Sequence, residues 1–197
     1  AEKQETYTLW KKVAVGCIPI VIAGLPLDTV LEDYLSSVYI IAATLILYGI
    51  AFLVIESRKK QPTMDSLEAL TYQAAFFIGC FQVLAAIPGT SRSGATILGA
   101  VILGCSRYVA SEFSFFLAIP VMAGASGLKL LKYFLQTGMF SGEEWILLII
   151  GTFVSFIVSI FAIRMLLGYI RKHDFKIFGV YRIILGMIVI LYFAFLG

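Results

Sequence analysis

Pro88-Gly89-Thr90-Ser91-Arg92-Ser93-Gly94, followed by Ala95-Thr96, interrupts two apolar arms and decides how this chain folds. The arm before it, Ala74 to Ile87, holds about 14 residues, and the arm after it, Gly94 to Gly104, about 11. At about 1.5 Å rise per residue, neither crosses a hydrocarbon layer about 30 Å thick. Two short arms joined by a Pro-Gly turn predict a re-entrant helical hairpin at about residues 67–104, entering and leaving by one face. Irregular backbone survives at that depth only where protein shields it or a water-filled cavity receives it. The turn is therefore expected to line a cavity. Arg92 sharpens the point, because a cation there costs roughly 3 kcal/mol on insertion scales. An anion offsets that cost best, and the neighbouring hydroxyls and glycines suit phosphate.

The rest of the chain supports a membrane setting. Of 197 residues, 60% are hydrophobic and 14% charged, and mean hydropathy is +0.97. Soluble domains carry nearer 25% charged residues. The formal net charge of +3 is no nucleic-acid signal, because the basic residues close apolar runs. Cys17, Cys80 and Cys105 lie in apolar contexts without metal-ligand spacing and read as small packing residues. No secretory leader is evident. The first residue is Ala1 and the first nine are largely polar, which reads as a trimmed start with sequence missing upstream.

The pattern predicts an all-α polytopic membrane protein in a single integral membrane domain, residues 1–197. Five spanning helices are expected at about 10–27, 37–56, 108–135, 144–170 and 175–196. Residues 28–36, with Asp28, Glu32 and Asp33, read as a short interfacial turn with Asp28 as a helix cap. Glu143 and Glu144 suit the start of a helix. Small residues at Gly124, Ala125, Ser126, Gly127, Ser155 and Ser159 are expected to allow close helix packing. Trp10, Tyr34, Tyr39, Trp145 and Tyr169 lie near span ends, as an aromatic belt does.

Basic loops orient such a bundle. Lys11, Lys12, Arg58, Lys59, Lys60, Arg107, Arg171, Lys172 and Lys176 share one face if the hairpin returns to its own side. That face is expected to be cytoplasmic, with Lys129 and Lys132 as exceptions and the C-terminus outside.

At the motif, Gly89 and Gly94 permit close approach and positive φ, and Pro88 ends the incoming arm. A half-helix beginning at Ser93 or Gly94 would point free N–H groups and its dipole at a ligand. Arg92 adds a planar fork for two phosphate oxygens. Ser91, Ser93 and Thr96 add hydroxyls, any of which is a nucleophile where a base lies nearby. Gln82, polar in an apolar arm, is placed to orient a ligand or water. Elsewhere, Glu112 reads as an early-helix acid close to Arg107. Arg182 reads as snorkelling or pairing with Glu112 or Glu56, and His173 as a solvated loop residue.

Phe77-Ile78-Gly79-Cys80-Phe81-Gln82, the stretch Pro88–Thr96, and Ser106-Arg107-Tyr108-Val109-Ala110-Ser111-Glu112-Phe113-Ser114-Phe115 closely resemble the bacterial undecaprenyl-diphosphate phosphatase family. Its members are also called bacitracin-resistance proteins. The resemblance runs to Tyr181-Arg182. It implies two inverted repeats whose re-entrant hairpins meet near the membrane middle. This chain would supply one half of that architecture plus flanking helices. It implies hydrolysis of undecaprenyl diphosphate to the monophosphate, recycling the lipid carrier of cell-wall synthesis and conferring bacitracin resistance. The implied location is the bacterial cytoplasmic membrane, with the site open to the outside. By this resemblance Ser91, Arg92 and Thr96 are catalytic, and Gln82, Gly89, Thr90, Ser93 and Gly94 bind the diphosphate. A divalent cation, Mg or Ca, is implied, together with a polyprenyl diphosphate substrate and a possible homodimer.

One departure is large. The family's other motif, a glutamate-rich stretch before Pro-Ser-Ser-Thr-Gly-His, does not occur in these 197 residues. The metal-side carboxylates and a histidine are therefore expected on a missing N-terminal segment, and no metal ligand is assigned here. Alone, the chain is expected to bind phosphate weakly and hydrolyse it little. Two other classes fit the same pattern: a lipid-phosphate transporter or flippase with a midplane anion site, and a structural membrane subunit.

Overall fold

The computed structural model describes residues 2–35, 37–58, 61–170 and 173–195. Side chains are described for residues 3–23, 37–58, 61–170 and 173–195. Lys59, Lys60, Arg171 and Lys172, on which the orientation argument partly rests, lie outside that set. Seven α-helices make up the described chain: α1 (Glu2–Leu35), α2 (Val38–Ser57), α3 (Tyr72–Val83), α4 (Arg92–Ile102), α5 (Arg107–Thr137), α6 (Gly142–Ile170) and α7 (Lys176–Phe195). A 3₁₀ turn, Leu84–Ala86, extends α3. Five of them are long and apolar enough to cross a membrane, the first over Lys3–Ala23, whereas α3 with its extension and α4 are short.

The expected turn at 28–36 is overturned, because the α1 backbone stays helical to Leu35 and Asp28 begins no helix. Asp28 and Glu32 stand four apart, a spacing that one helix face carries without a break. The side chains of Asp28, Glu32, Asp33 and Tyr34 lie outside the described set.

The hairpin does return to its own end. Thr63 and Met64 N–H groups donate to the Gly104 carbonyl at 2.8 and 3.0 Å, and Ser106 N–H donates to Met64 O at 2.9 Å. These bonds tie the entry loop to the exit of α4. Lys12, itself buried, donates from Nζ to the carbonyls of Leu67 and Glu68 at 2.9 and 3.0 Å. Thr71, Ser91 and Ser106 cap α3, α4 and α5, each hydroxyl accepting the N–H three residues on.

Two packed groups result. α1, α3, α4 and the first half of α5 share a core that includes Val13, Ala75, Ile78, Ala95, Phe113 and Leu117. Gly79 lies against the Gly16 backbone and has no room for a side chain, and a side chain on Gly16 would press on Leu117 and the Ala75 carbonyl. α2 and α7 form the closest helix pair, seated through Gly49, Gly179 and Gly186. The small residues expected to pack helices do not do so: Gly124 and Gly127 face open space, and Ala125, Ser126, Ser155 and Ser159 are exposed. The close contacts fall instead where Gly opposes backbone, a pairing that short sequence windows do not reveal.

At the loop end, the nearly buried Glu56 carboxylate joins the groups. It pairs with Arg107 and accepts the Phe175 N–H at 3.3 Å. His173 lies at this end too, exposed and stacked on Tyr169 with ring centroids 4.3 Å apart.

Candidate active site: an anion cradle at the hairpin tip

The tip is a type II turn. Thr90 N–H donates to Ile87 O at 3.0 Å, with Pro88 at its first corner and Gly89 at φ +84° at its second. That φ suits glycine, and a side chain there would strike Thr44 Oγ1 and the Ile41 carbonyl. Thr44 Oγ1 stands 2.9 Å from Pro88 O, so α2 buttresses the turn.

Next, α4 begins at Arg92, one or two residues earlier than the expected start at Ser93 or Gly94. Ser91 is its cap and accepts the Gly94 N–H at 3.1 Å. The cap forms at Ser91 because its extended backbone, φ −69° and ψ 127°, turns the hydroxyl onto the third helical residue. Arg92 and Ser93 N–H groups, first and second in the helix, have no intrahelical acceptor and carry the positive end of the helix dipole. Ser91 Oγ and Ser93 Oγ lie 3.2 Å apart.

Arg92 is half-buried. Its Nη2 reaches Ser114 O on α5 at 3.4 Å, and its buried Nε has no protein acceptor. Among the described residues the second cation makes neither of the ion pairs expected of it. Arg182 pairs with neither Glu56, which holds Arg107, nor Glu112. Its Nη2 would lie 3.3 Å from a Cβ placed on Gly94, in the first turn of α4, and its buried Nη1 has no protein partner. Tyr48, buried on α2, approaches both Arg182 and Thr90. The ion pairs found among the described residues, Arg107–Glu56 and Lys176–Asp174, leave both arginines without a counter-ion. A recognisable signal existed: an arginine inside an apolar span has the same cost at residue 182 as at residue 92.

Buried side-chain atoms without a protein partner concentrate here. Among the described residues they are Gln82 Nε2 and Oε1, Thr90 Oγ1, Arg92 Nε and Arg182 Nη1. Each such group costs about 1–3 kcal/mol, more when charged. Gln82 is fully buried in α3. Thr96 departs from the expected phosphate contact, because it is fully buried and bonds to Arg92 O, Ser93 O and Ser114 Oγ. Two larger cavities, of about 500 and 690 Å³, lie at the opposite, loop end, beside Lys12 and Glu68 and beside Glu56 and Arg107. Neither includes residues 88–96, so the expected cavity at the motif is not among them.

The fold is that of an all-α polytopic membrane protein with a short helical hairpin, whose tip is met by a second arginine from a long apolar helix. The chain belongs to the family of bacitracin resistance protein BacA, whose profile matches residues 1–188. It is 55% identical over 198 residues to the undecaprenyl-diphosphatase of Limosilactobacillus fermentum, an alignment that covers 100% of this chain and 72% of that relative. It is 54% identical over 195 residues to that of Lactiplantibacillus plantarum, and 53% over 196 to that of Enterococcus faecalis. Each of these covers 98% of this chain and 71% of the relative.

Proposed function

We propose that the N-terminus of α4, Arg92 and Arg182 form the diphosphate cradle of an undecaprenyl-diphosphatase. The reaction adds water across the phosphoanhydride of undecaprenyl diphosphate. The bond from the terminal phosphorus to the bridging oxygen breaks, giving undecaprenyl phosphate and inorganic phosphate. One observation carries the cradle: two arginines border one helix start, Arg92 as its first residue and Arg182 through Nη2 beside Gly94, neither with a counter-ion among the described residues, and N–H donors are left over.

Each group has a task. The substrate's diphosphate, with at most about three negative charges, meets two fixed cations and the N–H groups of Arg92 and Ser93, which favour the charge built up on the bridging oxygen as it leaves. The arginine forks grip oxygens in pairs, holding the terminal phosphorus for in-line attack. Ser91 and Ser93 border the same helix start. Ser91 Oγ accepts the Gly94 N–H and shares a hydrogen bond with Ser93 Oγ, so the two hydroxyls together keep one proton for a phosphate oxygen or for transfer if Ser91 attacks. Thr96 acts from behind the helix, and Gln82 contributes a buried amide with two unfilled bonding positions.

The family resemblance also implies a divalent cation, but the cradle's donor set does not fit one. Guanidiniums and N–H groups repel a cation, and no cluster of three His, Cys, Asp or Glu side chains occurs among the described residues. The cation belongs with carboxylates other than those described here. The basic ends Lys11, Lys12, Arg58 and Arg107 favour a cytoplasmic loop end. On that reading the hairpin tip faces the extracytoplasmic side of the inner membrane.

The experiment is phosphate release from undecaprenyl or farnesyl diphosphate by the purified protein in detergent, with Arg92→Ala as the comparison. Release that Arg92→Ala abolishes supports this reading. Tight binding of the lipid without release by the wild type would overturn it in favour of transport.

A further inference from the structure

Behind the cradle, α5 holds α4 at two points, and both belong to Ser114. Its main-chain oxygen faces Arg92 Nη2 at 3.4 Å, and its hydroxyl lies 2.6 Å from Thr96 Oγ1. The direction of the second bond follows from its neighbours. Thr96 Oγ1 is 3.1 Å from both Arg92 O and Ser93 O. Carbonyl oxygens only accept, so the single Thr96 proton is committed to them. Ser114 must therefore donate to Thr96. The chain of bonds runs from α5 through Thr96 to the carbonyls of Arg92 and Ser93, the two residues whose N–H groups open the helix.

The setting is rigid and apolar. Ser114 is 1% exposed and Thr96 0%, with Phe113 and Leu117 at 0% on the same stretch of α5. In that interior a hydroxyl pair is retained only with its bonds made, and breaking one leaves an unsatisfied polar group. Alanine would serve the packing at residue 114 equally well. What serine adds is a fixed rotation of the first turn of α4, and with it the aim of the Arg92 fork.

We propose that Ser114 is a positioning residue for the diphosphate cradle, acting through Thr96 and Arg92 without touching substrate. The inference rests on the reading of the cradle as a diphosphate site. Arg92 grips the substrate before and during the reaction, so loosening it weakens ground state and transition state alike. The loss appears in KM and in Kd, with kcat largely kept.

The test uses the natural protein in detergent micelles and two measurements. One is Kd for farnesyl methylenediphosphonate, a diphosphate lipid that cannot be hydrolysed, scored on the folded fraction. The other is steady-state phosphate release from farnesyl diphosphate. Ser114→Ala is expected to raise Kd and KM about tenfold with kcat within threefold of wild type. Thr96→Val is expected to do the same, and the double variant to lose no more than threefold beyond either single one, because both break one chain of bonds. A Kd within twofold of wild type for Ser114→Ala, or losses that multiply in the double variant, overturns the proposal. Should Ser114→Ala fail to accumulate folded, Ser114→Cys, which keeps the volume with a weak donor, is read by the same criteria. A wild type that binds the analogue but releases no phosphate sinks the hydrolase reading, and the Kd comparison still decides Ser114.

Discussion

Arg182 and Gly94 lie side by side although 88 positions separate them: a methyl on Gly94 would stand 3.3 Å from Arg182 Nη2 and 3.2 Å from Ser91 Cβ. The last helix thus completes a site that the hairpin begins. The route is indirect. α7 packs on α2 through Gly49, Gly179 and Gly186, and α2 buttresses the hairpin turn through Thr44.

Among the described residues the Arg182 cation has no counter-ion, so under the proposed reading it weakens the ground fold while serving the cradle. Arg182→Leu is expected to lower kcat/KM by about a hundredfold or more, in line with loss of one preorganised donor to developing charge. The same change is expected to raise the thermal midpoint in detergent, because a half-buried unpaired charge is removed. Arg182→Lys keeps the charge without the fork and should recover only part of the activity. Unchanged kcat/KM in Arg182→Leu would remove Arg182 from the cradle.

Gly89 and Gly124 provide an internal contrast. At Gly89 an added methyl meets the left-handed strain of φ +84° together with Thr44 Oγ1 and the Ile41 carbonyl. Strain alone costs about 1–2 kcal/mol, so Gly89→Ala is expected to cost more than about 2 kcal/mol in denaturant titration. Gly124 is helical and faces open space, and Gly124→Ala is expected to be neutral or to add up to about 1 kcal/mol. Equal effects at the two sites would refute the turn geometry.

What was legible in the sequence followed from composition and punctuation. Long apolar runs marked the α2, α5, α6 and α7 spans to within two or three residues, because lipid demands uninterrupted helix. Pro88-Gly89 announced the turn because φ at both corners is a property of those residue types. Arg182 was recognisable as costly but not as a partner of Gly94, since that contact depends on how α7 seats against α2. Thr96 missed its expected phosphate contact for the same kind of reason: it shares a helix face with Arg92, four residues before it, and only the position of α5 decides what its hydroxyl meets there. The glycines that pack helices were misplaced, as small residues identify a surface able to pack and not the surface that does.

Glu56 provides a stability test at the far end. Its side chain is 4% exposed and holds Arg107 and the Phe175 N–H. Removing the cation alone strands a buried carboxylate, so Arg107→Ala is expected to destabilise by about 3 kcal/mol. The double change Arg107→Ala with Glu56→Gln removes the stranded charge and should recover at least half of that loss in the same unfolding measurement. A double variant less stable than Arg107→Ala would show that Glu56 does not depend on its pairing.

Cys105 is the thiol whose chemistry the fold most clearly controls. It sits between α4 and α5, 3% exposed, bridged by backbone to Met64, and burial pushes its pKa up to about 11. The thiolate is the reactive form. At pH 8 a group with that pKa is ionised to about one part in a thousand, against roughly a quarter for a free thiol near 8.5. In a variant with Cys17→Ala and Cys80→Ala, iodoacetamide is expected to modify Cys105 at least a hundredfold more slowly in the folded protein than after denaturation. The folded-state rate should keep rising past pH 10 instead of levelling near pH 9. A rate in the folded protein equal to that of a free thiol at pH 8 would mean that the junction between the hairpin and α5 opens readily. The two-point tie through Met64 would then not hold the hairpin to its own end of the bundle.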